Sequence, residues 1–128
     1  MKLTINILLM IASILLAILM FPIGIIVTIM LLFFKDPREY FINTSDYPFG
    51  IAYGIDMLGN IVCGDLFNLL LIKKGGYQFG KLKDTVSYAV GRNILINKLT
   101  IIGILLNYFL NLFEKDHALK AVSKTDSK

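Results

Sequence analysis

The chain has 128 residues, 56% of them apolar, and a mean hydropathy of +0.71, so an ordinary soluble domain is excluded and there is room for one small unit. The net charge of +4, from 13 basic and 9 acidic residues, comes without a basic helix or zinc spacing; an anionic lipid surface is expected as partner, and nucleic acid is not. A single cysteine, Cys63, excludes an internal disulfide and a cysteine-rich metal site, and its apolar neighbours suit a small buried hydrophobe.

From Leu3 to Phe34 no Asp, Glu, Lys or Arg occurs, where about 18 apolar residues already suggest a membrane-spanning helix. The stretch from Ile7 to Phe34 reaches about 42 Å as a helix, against a hydrocarbon core of about 30 Å. Tilt or a kink at Pro22-Ile23-Gly24 is expected to absorb the excess, with a break into a short re-entrant hairpin as the alternative. The run is about twice as long as a signal-peptide core and ends on no small-x-small cleavage site. Residues 1–35 therefore read as an uncleaved transmembrane anchor.

Lys35-Asp36-Pro37-Arg38-Glu39 ends that helix. Asn43-Thr44-Ser45 matches a glycosylation sequon, a chance match in a bacterial-looking chain. Ser45 or Asp46 can cap a second helix with Pro48 in its first turn. The apolar segment Phe49 to Ile72 carries Asp56, Asn60, Asp65 and Asn68. Two carboxylates are costly in a lipid-facing span. A helix against the anchor or at the interface is expected, with a second span as the alternative, and Gly50-x-x-x-Gly54 permits close helix approach. Asp56 and Asn60, at i and i+4, predict a hydrogen-bonded pair on one face.

Lys73-Lys74-Gly75-Gly76-Tyr77-Gln78-Phe79-Gly80-Lys81-Leu82-Lys83 reads as a flexible basic loop. Lys73, Lys74, Lys81 and Lys83 are placed to meet an anionic leaflet, with Tyr77 and Phe79 as headgroup-level anchors. The phosphate-loop spacing is absent.

Asn93 to Glu114 reads as one amphipathic helix. Asn93, Asn97, Thr100, Asn107, Asn111 and Glu114 form a polar stripe, and Leu105, Phe109 and their neighbours cover the remainder. Its apolar face completes a small core or lies in the membrane interface; an asparagine-lined bundle of copies is a further possibility. Residues 122–128 read as a polar tail fraying at its end. No nucleophile–base set is suggested by spacing, so neither catalysis nor a cofactor is expected; a metal site from Asp56, Asp65 and His117 depends on the fold gathering them.

Ile55-Asp56-Met57-Leu58-Gly59-Asn60 to Gly64-Asp65, then Asp84-Thr85-Val86-Ser87 to Gly91-Arg92, then Asp116-His117, resemble a family of small phage and prophage proteins. That family's pattern runs Asp-x-x-x-Asn, a Gly-Gly-Asp corner, an acidic-Thr-x-Ser-x-Arg-x-Gly stretch and a closing Asp-His-Cys. The resemblance implies a phage origin and marks Asp56, Asn60, Thr85, Ser87, Gly91 and His117 as candidate functional or structural residues. It also implies that the anchor is an addition to one compact unit over residues 50–121. Ala89 stands where the family has arginine, and Ala118 where it has cysteine, so chemistry depending on either is absent here.

The expected fold is all-α: one transmembrane anchor over residues 1–35, a small unit of two or three helices at the membrane surface over 36–121, and a tail over 122–128. The expected function is non-enzymatic action at the host inner membrane through helix–helix contacts with a protein partner or a second copy, in host modification, superinfection exclusion or DNA entry. A holin-like pore former is the runner-up. The basic residues lie almost wholly after the anchor, which places the amino terminus outside and the carboxy terminus in the cytoplasm.

Overall fold

The computed structural model describes residues 2–34, 36 and 46–128. The chain forms two units, Met1–Ser45 and Asp46–Lys128. Among the described residues there are six helices and no strand, so the all-α expectation holds.

Among its described residues the first unit contains one helix, α1 (Lys2–Phe34), continuous through Pro22. Its described side chains are almost wholly exposed. Ser13 donates to the Leu9 carbonyl oxygen at 2.8 Å, which satisfies a hydroxyl within the helix. Among the described residues α1 is the one helix long and apolar enough to cross a membrane. The sequon and most of the segment Lys35 to Glu39 lie outside the described residues.

The second unit contains α2 (Asp46–Val62), α3 (Gly64–Leu70), α4 (Val86–Leu95), α5 (Ile101–Phe113) and α6 (His117–Asp126). Residues 49–72 are thus not one helix. The axis breaks at Cys63, which is half-buried and bridges α2 to α3. The break brings Gly64 against the loop: a side chain there would sit 2.7 Å from the Gly80 Cα, so only glycine fits the approach.

The core is small: Leu71, Ile72, Phe79, Ala89, Val90, Leu99 and Ala118, with Phe67, Tyr77, Val86, Ile94 and Leu106 packed against it. One antiparallel bridge, Ile72 with Leu99, ties the end of α3 to the turn before α5. Lys73 N–H donates to Lys98 O at 2.7 Å and Thr100 N–H to Leu71 O at 2.9 Å.

That bridge corrects the reading of Asn93 to Glu114 as one helix. Asn97 takes φ +53°, a left-handed conformation asparagine tolerates, and this ends α4. Thr100 then caps α5, its hydroxyl accepting from Gly103 N–H at 3.2 Å and donating to Leu70 O at 2.6 Å. The polar residues therefore do separate jobs. Asn93 is fully buried, Asn97 makes a turn and Thr100 is a cap, so they share no helical face.

The basic loop is also not a loose surface element. Three asparagines grip its backbone with both ends of the side-chain amide. Asn93 accepts from Tyr77 N–H at 2.7 Å and donates to Tyr77 O at 2.8 Å. Asn68 does the same with Phe79, at 2.7 and 3.3 Å. Asn60 accepts from Gly80 N–H and donates to the Lys81 and Asp84 carbonyls, each at 3.1 Å. Buried backbone groups need partners, and here side chains stand in for a neighbouring strand.

Two further expectations change. Phe79 is 4% exposed and packs edge-on against Phe67, so it belongs to the core and is no membrane anchor. The burial of an aromatic ring outweighs its placement among lysines. Residues 122–126 are helical: α6 runs to Asp126 and packs closely on α4, burying Ala118 and Val122. Gly91 allows this contact, because a methyl group there would strike the Ala118 carbonyl. Tyr88 and Arg92 of α4 lock the far end, donating to Asp126 at 2.9 and 3.1 Å.

Candidate functional site

Two features of the second unit are available for function: a groove, and a set of uncovered apolar helix faces.

The groove, about 900 Å³, opens between α2 and α6. Phe49, Ala52, Tyr53 and Asp56 of α2 share one helix face and form one wall. His117, Lys120 and Lys124, followed by Lys128, are spaced by three or four residues and form the other. The start of α4 contributes Thr85 and Ser87, and the end of α5 contributes Leu110 and Glu114.

Four of the six residues marked by the phage-family resemblance meet here: Asp56, Thr85, Ser87 and His117. Asp56 and Asn60 do not bond to each other, which corrects the expected pair. The Asp56 carboxylate instead accepts from Ser87 N–H at 3.4 Å, at the open first turn of α4, where backbone donors lack helical partners. Asn60, one turn further along α2, bonds to the loop instead. Thr85 is the helix cap of α4, its hydroxyl accepting from Tyr88 N–H at 3.0 Å. Ser87 is buried at the groove's edge. Gly91 is a packing residue between α4 and α6.

His117 is on the rim, its Nδ1 3.0 Å from Glu114 Oε2. Lys120 donates to the other oxygen of the same carboxylate at 2.8 Å. Lys120 first, and then His117, hold the Glu114 carboxyl below the usual range. Lys124 makes no ion pair among the described residues; its ammonium lies 4.6 Å from the centre of the Phe49 ring. No three His, Cys, Asp or Glu side chains gather as a metal site among the described residues.

The second feature is apolar surface. From Ile101 to Phe113 there is no charged residue, and Ile101 is 78% and Leu105 62% exposed, with Ile104, Tyr108, Leu112 and Phe113 also open. Ile51, Ile55, Leu58 and Val62 of α2, and Leu66 and Leu69 of α3, are uncovered as well. Such area far exceeds the isolated apolar residues normal on a soluble surface.

In the loop, Lys73, Lys74, Lys81 and Lys83 are exposed as expected. Tyr77 is half-buried; its hydroxyl donates to Asp84 at 2.8 Å and its ring lies beneath Lys81 Nζ at 3.7 Å. The exposed hydrophobe is Leu82, between Lys81 and Lys83. Nothing in the sequence pattern singles out Leu82; the basic stripe His117, Lys120, Lys124 and Lys128 is legible from its three- and four-residue spacing once residues 117–126 are taken as helix.

The chain matches no protein-family model, no curated protein and no solved structure.

Proposed function

We propose that this chain is a non-enzymatic membrane protein of phage origin that acts at the bacterial inner membrane through its helix faces. The uncovered apolar side chains of α5 carry this reading. A helix of 13 residues without a charge, apolar on the side turned away from its own core, has no reason to face water. Lipid or another apolar helix is the environment that suits it. The length and composition of α1 support an anchor in the same membrane. The phage assignment rests on the motif resemblance, supported by the meeting of four of its six marked positions in one groove.

On this reading the chain alters the host membrane by contact with a resident protein or a second copy, in host modification, superinfection exclusion or DNA entry. The carboxy terminus is cytoplasmic, since the basic residues follow the anchor. The runner-up, a holin-like pore, draws on small size, up to three apolar segments, a basic tail and an asparagine-striped helix; the turn at Asn97 shortens that stripe to Asn107 and Asn111 of α5 and leaves the other arguments as they were.

Expression of the full chain in bacteria tests the proposal. It predicts recovery in the inner-membrane fraction, resistance to alkaline extraction, continued growth, and crosslinks from a photoreactive residue at Leu105 to lipid or to a membrane protein. Abrupt loss of membrane potential would support the pore instead. Recovery in the soluble fraction would reject both. A Lys124→Cys variant labelled from the periplasmic side would reverse the orientation.

A further inference from the structure

The α2–α6 groove has walls of different chemistry. One carries the Phe49 and Tyr53 rings, stacked 6.1 Å apart at 24°, and Leu110 of α5 adds to its apolar surface. The other carries His117, Lys120, Lys124 and Lys128. Two carboxylates face the same space, and both are engaged. Glu114 is held by Lys120 and His117, and Asp56 by the Ser87 amide. Lys124 and Lys128 make no ion pair among the described residues and have their charge available. A ligand that meets both walls must be an anion joined to an apolar body.

We propose that this groove binds an anionic phospholipid, its phosphate facing Lys124 and Lys128 and its glycerol–acyl portion against Phe49, Tyr53 and Leu110. The proposal rests on the membrane reading above, which makes phospholipid the amphiphilic anion always at hand. Inorganic phosphate would use the basic wall alone and leave the aromatic wall wet. The Lys124 ammonium over the Phe49 ring lies at the junction of the two walls, where the phosphate meets the glycerol. Leu110 belongs to α5, the helix that also carries the uncovered apolar face described above.

The test uses the full chain purified in a neutral detergent. Retention of dihexanoyl phosphatidylglycerol is compared with that of dihexanoyl phosphatidylcholine by native mass spectrometry. The expected result is a clear preference for phosphatidylglycerol. Lys124→Gln with Lys128→Gln lowers that retention roughly tenfold or more, because each lysine near an anionic headgroup contributes substantially. Both side chains are exposed, so the variant's melting matches the parent. Tyr53→Ala weakens both lipids together, by removing the apolar wall. Lys73→Gln with Lys74→Gln, in the distant loop, changes nothing.

An equal loss from the loop variant would overturn the site in favour of diffuse surface charge. Competition by glycerol phosphate as effective as by the lipid would reduce the groove to an anion site, and a preference unchanged in the Lys124/Lys128 variant would remove it altogether. A photoreactive residue at Tyr53 that captures a protein in cells, and no lipid, would assign the groove to an acidic helical partner. Protein found in the membrane fraction but lacking the lipid preference overturns this inference alone; protein missing from that fraction overturns the reading beneath it.

Discussion

Replacing Asn93 with leucine separates a buried clamp from a surface stripe. Leucine has the branching and heavy-atom count of asparagine, with bulkier methyl ends, and is a better helix former, so on an exposed helix it would be neutral or mildly stabilising. In this fold Asn93 is 0% exposed and holds the loop at Tyr77 by two bonds. Its third bond, to Ala89 O at 2.9 Å, goes to a carbonyl within its own helix. The substitution leaves the Tyr77 N–H and C=O unpaired beneath the loop. Each buried orphan costs about 1–3 kcal/mol, and the extra apolar burial returns at most about 2 kcal/mol. The net loss is about 3 kcal/mol, which lowers the melting midpoint of a unit this size by roughly 15 °C. The chain contains no tryptophan, so the fluorescence of its six tyrosines in mild detergent, Tyr77 and Tyr88 at their contact among them, follows the melting. Asn107→Leu, on a half-buried flank of α5, is the control and shifts the midpoint little. A midpoint for Asn93→Leu within about 2 °C of the parent would refute the clamp.

Gly91→Ala gains about 1 kcal/mol in helix propensity but forces a methyl group against the Ala118 carbonyl and within 2.6 Å of Val122 Cγ2. A backbone obstacle does not yield as a flexible side chain does, so a net loss of about 1–2 kcal/mol is expected in the same melting assay; a stabilised variant would mean that α4 and α6 do not pack this way. With Cys63→Ser as background, Leu105→Cys should resist a water-soluble maleimide in membranes while Lys73→Cys labels fully, and equal labelling would expose the α5 face to water. Alkaline pH should unfold the second unit. Burial, and then Asp84 at its hydroxyl, push the Tyr77 ionisation up, and burial followed by Asp126 does the same for Tyr88. A raised folded-state value keeps the neutral tyrosines favoured in the fold, so their contribution is complete below about pH 10 and is lost as pH climbs through the folded values. Tyrosine ionisation followed by ultraviolet absorbance should therefore coincide with loss of structure, and two tyrosines titrating freely near pH 10 in the intact fold would contradict the hydrogen bonds to Asp84 and Asp126.

The parts of this fold legible in the sequence were those set by long periodic or charge-free runs. The charge-free run of α1 and the helical class follow from composition and spacing alone. The errors fall where one residue overrides a pattern. Asn97 interrupts an apolar run with neither glycine nor proline beside it, so nothing local announced the turn. Phe79 sits among lysines and glycines, and only the asparagines of distant helices explain why it turns inward. Asp56 and Asn60 have the spacing of a helix pair, yet each reaches a better partner supplied by another segment. Polarity alone makes residues 122–128 look like a loose tail, yet Val122 follows Ala118 by four residues, the spacing of a buried helix face. The groove could not be read at all, because it depends on how α2 and α6 diverge.

The asparagine grip also sets a timescale. The amide protons of Tyr77, Phe79 and Gly80 belong to no helix or strand, and a loop of this kind ordinarily exchanges its amides with solvent in seconds or less. Here each proton is held by a carboxamide rooted in a different place: Asn93 in α4, Asn68 in α3 and Asn60 in α2. Releasing one contact leaves the loop pinned at the other two. Exchange of these three amides therefore requires the helices to separate, and it proceeds at the rate of the core amides of Ala89 and Val90. In opening as in folding, the loop and the three helices behave as one cooperative piece, although the loop has no secondary structure of its own.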